Sequence, residues 1–468
     1  MKHLFFILAF LGIFLSYAQE TYSLEKCLAI AFKNNLDLKG AQLKAQSSRV
    51  TLQQSWGDVM PSANANYTIG INSGRSIDPY TNSYIDQKLT FSNAGVNLSL
   101  PLFNGFRLKN SIKQQKFNLK ASEMEVEEAK QDLTIKVTLA YLQVLNDREA
   151  LALHKSSLEV TQKQLSRLSV LYKDGKGNPA DYTDMKGQVA NNSIAVITAE
   201  SNLKESTLTL FQLLGISMDT QVSFETVAML TSFKPYAVSA DEIYNEALQN
   251  LATFKAKAYR EDAAQSALSV AKSGFLPEIS AFGQLNTNYS SAAQLYNETG
   301  TMVVESGQFV NIDGQEYAVY ANQSQYRSSD ISYKDQFENN FSTSYGISVN
   351  IPLFNGFNAK HDVKLKKIAL EESKIALEDT KRKYKQSVIM AYTDMESAYN
   401  TYKALKEQVN AYEASFRVNE IRFNNGVSNI VEYLISKNNL DTAKLNLSTA
   451  KYDYMLRTKV LDYYRGIF

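Results

Sequence analysis

The sequence predicts a mainly α chain with a small β part, in which one unit of long coiled-coil helices plus two strands occurs twice. Three observations carry that expectation. Val96-Asn-Leu-Ser-Leu-Pro101-Leu-Phe103-Asn104-Gly105-Phe106 returns as Ile347-Ser-Val-Asn-Ile-Pro352-Leu-Phe354-Asn355-Gly356-Phe357, shifted by 251 residues. Tyr172-Lys-Asp-Gly175 and Phe423-Asn-Asn-Gly426 share that shift, which two unrelated coincidences would not. Each copy also joins short runs of strict alternation to a long stretch without proline.

Taken in order, Met1 to Ala18 reads as a secretory signal peptide. Lys2 and His3 form the n-region, Leu4 to Leu15 the apolar core, and Ser16-Tyr17-Ala18 the small-x-small cleavage site. It is too short to span a bilayer, which takes about 20 apolar residues, and no later stretch reaches that length without charges. The first repeat is expected over 19–238 and the second over 239–468.

The first repeat opens with a helical segment at about 24–57. A strand at about 62–72 follows, with Ala63, Ala65, Tyr67, Ile69 and Ile71 apolar and Asn64, Asn66, Thr68, Gly70 and Asn72 between them. Its partner at about 92–102 alternates Ala94, Val96, Leu98, Leu100 and Leu102 with Asn93, Gly95, Asn97 and Ser99. The second repeat has a helical segment at about 240–273 and strands at about 278–289 and 342–353. Runs of about 10 residues match tilted strands that cross a bilayer, with an amide-rich face for a lumen. A soluble hairpin gives the same local pattern. Four strands cannot close a barrel, since the smallest membrane barrels use eight, so spanning requires oligomerisation. Two chains would leave an interior filled by side chains, whereas three would leave a lumen. The second hairpin carries 35 extra residues, roughly Ser290 to Asp335, read as an extracellular loop.

Pro61, Pro101, Pro277 and Pro352 are expected where strand meets helix, because proline cannot continue a helix. Long helices are expected at about 107–173 and 358–424, roughly 100 Å each. Tip turns at 174–179 and 425–428 lead into shorter helices at about 180–214 and 429–463. Leu151, Leu158, Leu165 and Tyr172 recur every seven residues, and Tyr402, Val409, Phe416 and Phe423 repeat them at the same shift. Ser239-Ala-Asp-Glu242 reads as a capping box, and Asn178-Pro179 as an N-cap with proline at the first helical position.

The repeated strand–strand–long helix–turn–helix order resembles the TolC-like outer-membrane efflux proteins. The matching residues are the strand exits Leu100 to Gly105 and Ile351 to Gly356, and Arg422-Phe423-Asn-Asn-Gly426-Val-Ser-Asn-Ile-Val-Glu432. The resemblance covers the mature chain. It implies a homotrimer in outer-membrane lipid, with a twelve-stranded β-barrel continued by a periplasmic α-helical tunnel. It also implies a passive exit duct of a tripartite efflux or type I secretion system. A periplasmic adaptor (membrane fusion protein) would dock on it and link it to an inner-membrane pump. Gly175 and Gly426 match the family's tip turns, where the adaptor docks. Asp181 and Glu432 match an acidic residue near its closed pore, and three copies would form a cation-selecting ring. Both also suit a first helical turn. Phe423 stands where the familiar pattern has Tyr, and Ser428 where it has Arg, so a hydrophobic constriction at Phe423 is the expected substitute for a polar latch.

No enzyme is expected. The 49 basic and 48 acidic residues leave a net charge of +1 and no basic surplus for nucleic acid. His3, His154 and His361 do not cluster, Cys27 is the single cysteine, and no zinc, nucleotide or nucleophile motif occurs. Neither metal nor cofactor is therefore expected. The alternative is a soluble periplasmic coiled-coil adaptor or scaffold whose hairpins form a soluble sheet.

Overall fold

The computed structural model describes residues 20–77, 82–86, 88–219, 222–226 and 233–467; the expected signal peptide, 1–18, lies outside them. The elements run β1 (Glu20–Tyr22), α1 (Leu24–Asn34), α2 (Leu36–Gly57), β2 (Ser62–Asn72), β3 (Arg75–Ile77), β4 (Tyr84–Asp86), β5 (Leu89–Asn104), α3 (Arg107–Lys173), α4 (Pro179–Leu214) and β6 (Val222–Phe224). They continue with α5 (Ala240–Asn250), α6 (Ala252–Lys272), β7 (Glu278–Ser290), β8 (Gln294–Ile312), β9 (Gln315–Asp330), α7 (Tyr333–Asn339), β10 (Ser342–Asn350), α8 (Asn358–Asn424) and α9 (Ile430–Arg465). A 3-10 turn, Ser273–Phe275, follows α6.

Two compact units result, and neither is a sequence repeat. One comprises Met1–Thr51, Gln114–Gln265 and Ile368–Phe468; the other comprises Leu52–Lys113 and Ser266–Lys367. Each draws on both repeats.

The first unit is helical, with one parallel strand pair, β1 on β6. Its largest apolar cluster gathers Cys27, Val137, Val144, Leu210, Leu214 and Phe224 around Tyr141. The Tyr141 hydroxyl lies 2.9 Å from the Tyr22 carbonyl and 2.6 Å from that of Glu225, tying the strand pair to α3. A second cluster holds Val388, Met395 and Leu461, which are Val137, Val144 and Leu210 moved by 251 residues. The same core is thus built twice.

Both segments expected as single helices, 24–57 and 240–273, are broken at equivalent residues. Asn35 and Leu251 are extended, and their N–H groups bond Ala31 O and Ala247 O. The Asn35 side chain accepts from Leu38 N at 3.1 Å and so starts the next helix. No cap starts the second break. Leu251 is buried with Ala247 and Phe254, and Gln131 Oε1 accepts the Ala252 N–H at 3.2 Å. Asn178 and Ser239 cap α4 and α5, the latter as a full capping box.

The second unit contains one antiparallel sheet ordered β10-β7-β5-β2. The register places Ile69, Tyr67, Val96, Leu98, Leu285, Ala281, Ile347 and Val349 on one face. Asn64, Asn66, Asn93, Asn97, Gln284, Asn286 and Ser348 share the other. Asn97 donates to Asn66 across that face at 3.2 Å. Gly70 and Gly346 each lie under a cross-strand phenylalanine, Phe91 and Phe282, where an added Cβ would approach to 2.7 and 3.0 Å. The outer edges of β10 and β2 pair with nothing among the described residues. The segment expected as an extracellular loop, roughly Ser290 to Asp335, forms the β8–β9 ribbon and the start of α7.

The prolines do not make the strand-to-helix turns. Pro61 and Pro277 immediately precede β2 and β7, and Pro352 follows β10. Pro101 lies inside β5, which runs on to Asn104 through a register shift between Pro101 and Phe103. The turns are made by Gly105-Phe106 and Gly356-Phe357, all four left-handed with φ between 60 and 65°. An added Cβ on Gly105 would meet Ser273 O at 2.9 Å, so glycine is obligatory there. Phe106 packs edge-on against Phe103 at 5.2 Å, and Phe357 against Phe354 at 5.3 Å. These edge-on contacts help hold a backbone geometry that is costly for a bulky residue.

Candidate functional site

The tip turns are built from the same parts twice. After α3, Gly175 adopts φ 69°, its N–H bonds Tyr172 O at 3.1 Å, and Lys176 N bonds Leu171 O at 2.9 Å. After α8, Gly426 adopts φ 74°, with Gly426 N to Phe423 O at 3.1 Å and Val427 N to Arg422 O at 2.9 Å. Each is a paired 5→2 and 6→1 closure that satisfies carbonyls a helix end leaves open. The positive φ is why glycine stands there.

The next helices also start alike. Asn178 Oδ1 accepts from Ala180 N at 3.1 Å, and Asn429 Oδ1 from Glu432 N at 2.9 Å. Asp181 and Glu432 occupy the third position of their helices. The half-buried Asp181 carboxylate takes a hydrogen bond from Asn178 Nδ2 at 3.3 Å. Burial, and then the neighbouring Asp184, hold its pKa above the ordinary aspartate value. Glu432 is exposed. Each acid sits in the first turn of its own helix, where the macrodipole favours it.

Phe423 is half-buried. Its ring stacks on fully buried Tyr433 at 4.8 Å, and Phe416 approaches the same tyrosine at 5.6 Å. Burial pushes the Tyr433 phenol up to about 12. These rings join Leu168 and Met185 of the first hairpin in one apolar cluster, so the two hairpins share a core near their tips. The first repeat carries the matching stack, Tyr172 on Tyr182 at 5.2 Å.

Three features were missed from sequence. Tyr182 and Tyr433 are the stacking partners; their shared shift of 251 residues was the available signal. Arg167 donates to Asn424 Oδ1 and, at 2.9 Å, to Asn424 O, closing the C-terminus of α8 from the other hairpin. Further along, buried Lys437 reaches Asp441 Oδ2 and Ser157 Oγ, and Ser157 donates to Asp441 at 2.6 Å. Only packing brings those three together.

Among the described residues no His, Cys, Asp or Glu cluster could hold a metal, and no helix is long and apolar enough to cross a membrane.

The family model described as Outer membrane efflux protein matches the chain in two segments, 28–216 and 243–462. The chain belongs to the outer membrane efflux protein family. The outer membrane protein TolC of Vibrio cholerae is 23% identical over 397 residues, 84% of this chain and 79% of that protein. The outer membrane efflux protein BepC of Brucella suis is 20% identical over 443 residues, 94% of this chain and 84% of that protein. The Campylobacter jejuni CmeC outer membrane channel shares the fold with a TM-score of 0.76 at 16% identity, covering 97% of this chain and 90% of that one. VceC of Vibrio cholerae gives a TM-score of 0.74 at 13% identity, over 95% and 96%. This efflux protein is thus an outer-membrane protein with the efflux-channel fold. The alternative of a soluble adaptor or scaffold finds no support, since the matched family and these relatives are of the outer membrane.

Proposed function

We propose that this protein is a homotrimeric exit duct in the outer membrane, coupled by a periplasmic adaptor to an inner-membrane pump. It catalyses no reaction itself. The carrying observation is the four-stranded sheet, apolar on one face, amide-rich on the other, and open at both edges among the described residues. Open edges in hydrocarbon leave backbone groups without partners, so β10 of one copy must pair with β2 of the next. Three copies give twelve strands, enough for a lumen lined by the amide face, while the apolar face meets lipid. Energy and selectivity for cargo, small molecules or proteins, come from the pump and adaptor.

The tip turns at Gly175 and Gly426 are the proposed adaptor sites, and Asp181, Glu432 and Phe423 the proposed periplasmic gate. The two acids form the charged ring; Phe423 narrows the tip through its stack on Tyr433. The test is the mass of the detergent-purified protein together with its conductance in planar bilayers. A trimer with small, cation-selective conductance supports the reading. A monomer that needs no detergent overturns it.

A further inference from the structure

The β8–β9 ribbon is two-faced. Its strands, 19 and 16 residues long, pair only with each other among the described residues. A lone two-stranded ribbon is marginal in water and needs something to pack on. The ladder is irregular at Glu298/Gly300 and at Glu305/Phe309, with the surplus residues in β8, while β9 continues as one strand whose odd and even positions face opposite ways. The even face carries Glu316 and Asp330, with Glu305 opposite Tyr320 and Glu298 opposite Tyr326. The odd face pairs Val304 with Ala321, Val310 with Tyr317 and Met302 with Gln323, and carries Leu295 and Ile312 besides. Of the five acids between Gln294 and Asp330, four lie on the even face and the fifth, Asp313, in the turn; Arg327, the one base, lies on the odd face. The even face also carries Tyr296, Val303, Phe309, Tyr320 and Tyr326, so the two faces differ in charge rather than in apolar area. Leu295, Met302, Val310, Ile312 and Tyr317 are all about half exposed in the single chain.

We infer that the odd face is an interface between copies of this chain. The ribbons of the three protomers meet by their acid-free faces over the extracellular mouth and turn their acidic faces outward. The inference rests on the trimer proposed above. Two observations favour copies of the chain as the occupant. The ribbon leaves β7 at Ser290, the end of the sheet away from the strand-to-helix turns, and returns through α7 to β10. β10 is an edge strand whose free side a neighbouring copy must fill, so the ribbon is rooted at the seam between protomers. Like charges would also drive three acidic ribbons apart unless the acids faced away from the contact, which is how the register arranges them.

The test is cross-linking of the purified, detergent-solubilised protein with a short bis-maleimide. Cys27, the single natural cysteine, is fully buried, and burial pushes its thiol up to about 12, so background reaction is small. Val304→Cys should give a covalent dimer in most trimers, and Glu305→Cys at least tenfold less. Replacing 294–330 by a short Gly-Ser linker should raise the single-channel conductance. Equal cross-linking from both cysteines, or none from either in a preparation of trimeric mass, would overturn the inference; a ribbon lying on lipid gives the latter. Unchanged conductance without the ribbon counts against it too. A monomeric mass would instead remove the trimer reading, and this inference with it.

Discussion

Gly426→Ala isolates one physical term at the proposed docking tip. Gly426 sits at φ 74°, and no atom lies within 4 Å of where an added Cβ would stand. Steric overlap therefore contributes nothing, and the expected destabilisation is the left-handed penalty of an L-residue, about 1 kcal/mol. It falls on the last turn of α8, because Gly426 N and Val427 N close onto Phe423 O and Arg422 O. At roughly 1.4 kcal/mol per factor of ten, local opening should rise about fivefold. Hydrogen exchange at residues 425–427 of the purified protein measures this directly. Gly426→Asn should restore most of the protection, since asparagine tolerates this conformation better than other side chains. Gly177→Ala should fail differently: its Cβ would meet backbone, Tyr172 N at 2.9 Å, so no alternative residue rescues it. Wild-type exchange in Gly426→Ala, or exchange in Gly426→Asn as fast as in Gly426→Ala, would refute the reasoning. Adaptor cross-linking to Gly426→Asn then asks separately whether docking needs the bare backbone.

Asp181→Asn with Glu432→Gln should abolish cation selectivity while leaving a conducting pore; unchanged reversal potentials would reduce both acids to helix-end charges. In the unaltered protein, selectivity should be present at neutral pH and fade as pH falls. The Asp181 contribution should be lost at a pH above the ordinary aspartate value, because burial and Asp184 raise its pKa. Lys437→Met strands Asp441, which is about a third exposed, and should cost about 1–2 kcal/mol by thermal denaturation, below the 3–5 typical of a fully buried pair. Adding Asp441→Leu should recover most of that loss. Ile347→Lys places a charge on the apolar sheet face in the middle of β10 and should destabilise the assembled barrel by about 2–4 kcal/mol, read as loss of trimer from detergent extracts. Ser348→Lys, on the amide face, should assemble normally.

The sequence alone determined the duplication, the α-rich class and the alternating strands, because each rests on periodicity that survives without knowledge of partners. The two 67-residue helices needed only the absence of proline and two glycines with positive φ. The capping box at Ser239 is likewise local. Tertiary structure decided what depends on a distant surface. Leu251 breaks a helix without any breaker, because its apolar pocket and Gln131 outbid one turn of helix. Half-buried Phe423 found its stacking partner once Tyr433 was brought beside it, and Arg167 closed a helix end 257 residues away. Pro101, a natural strand terminator in sequence, sits inside β5 because the register shift beside it absorbs the irregularity, and the turn passes to Gly105-Phe106. Local chemistry wrote the elements, and long-range packing chose where they stop and which side chains meet, because those contacts close only after the chain has folded back on itself.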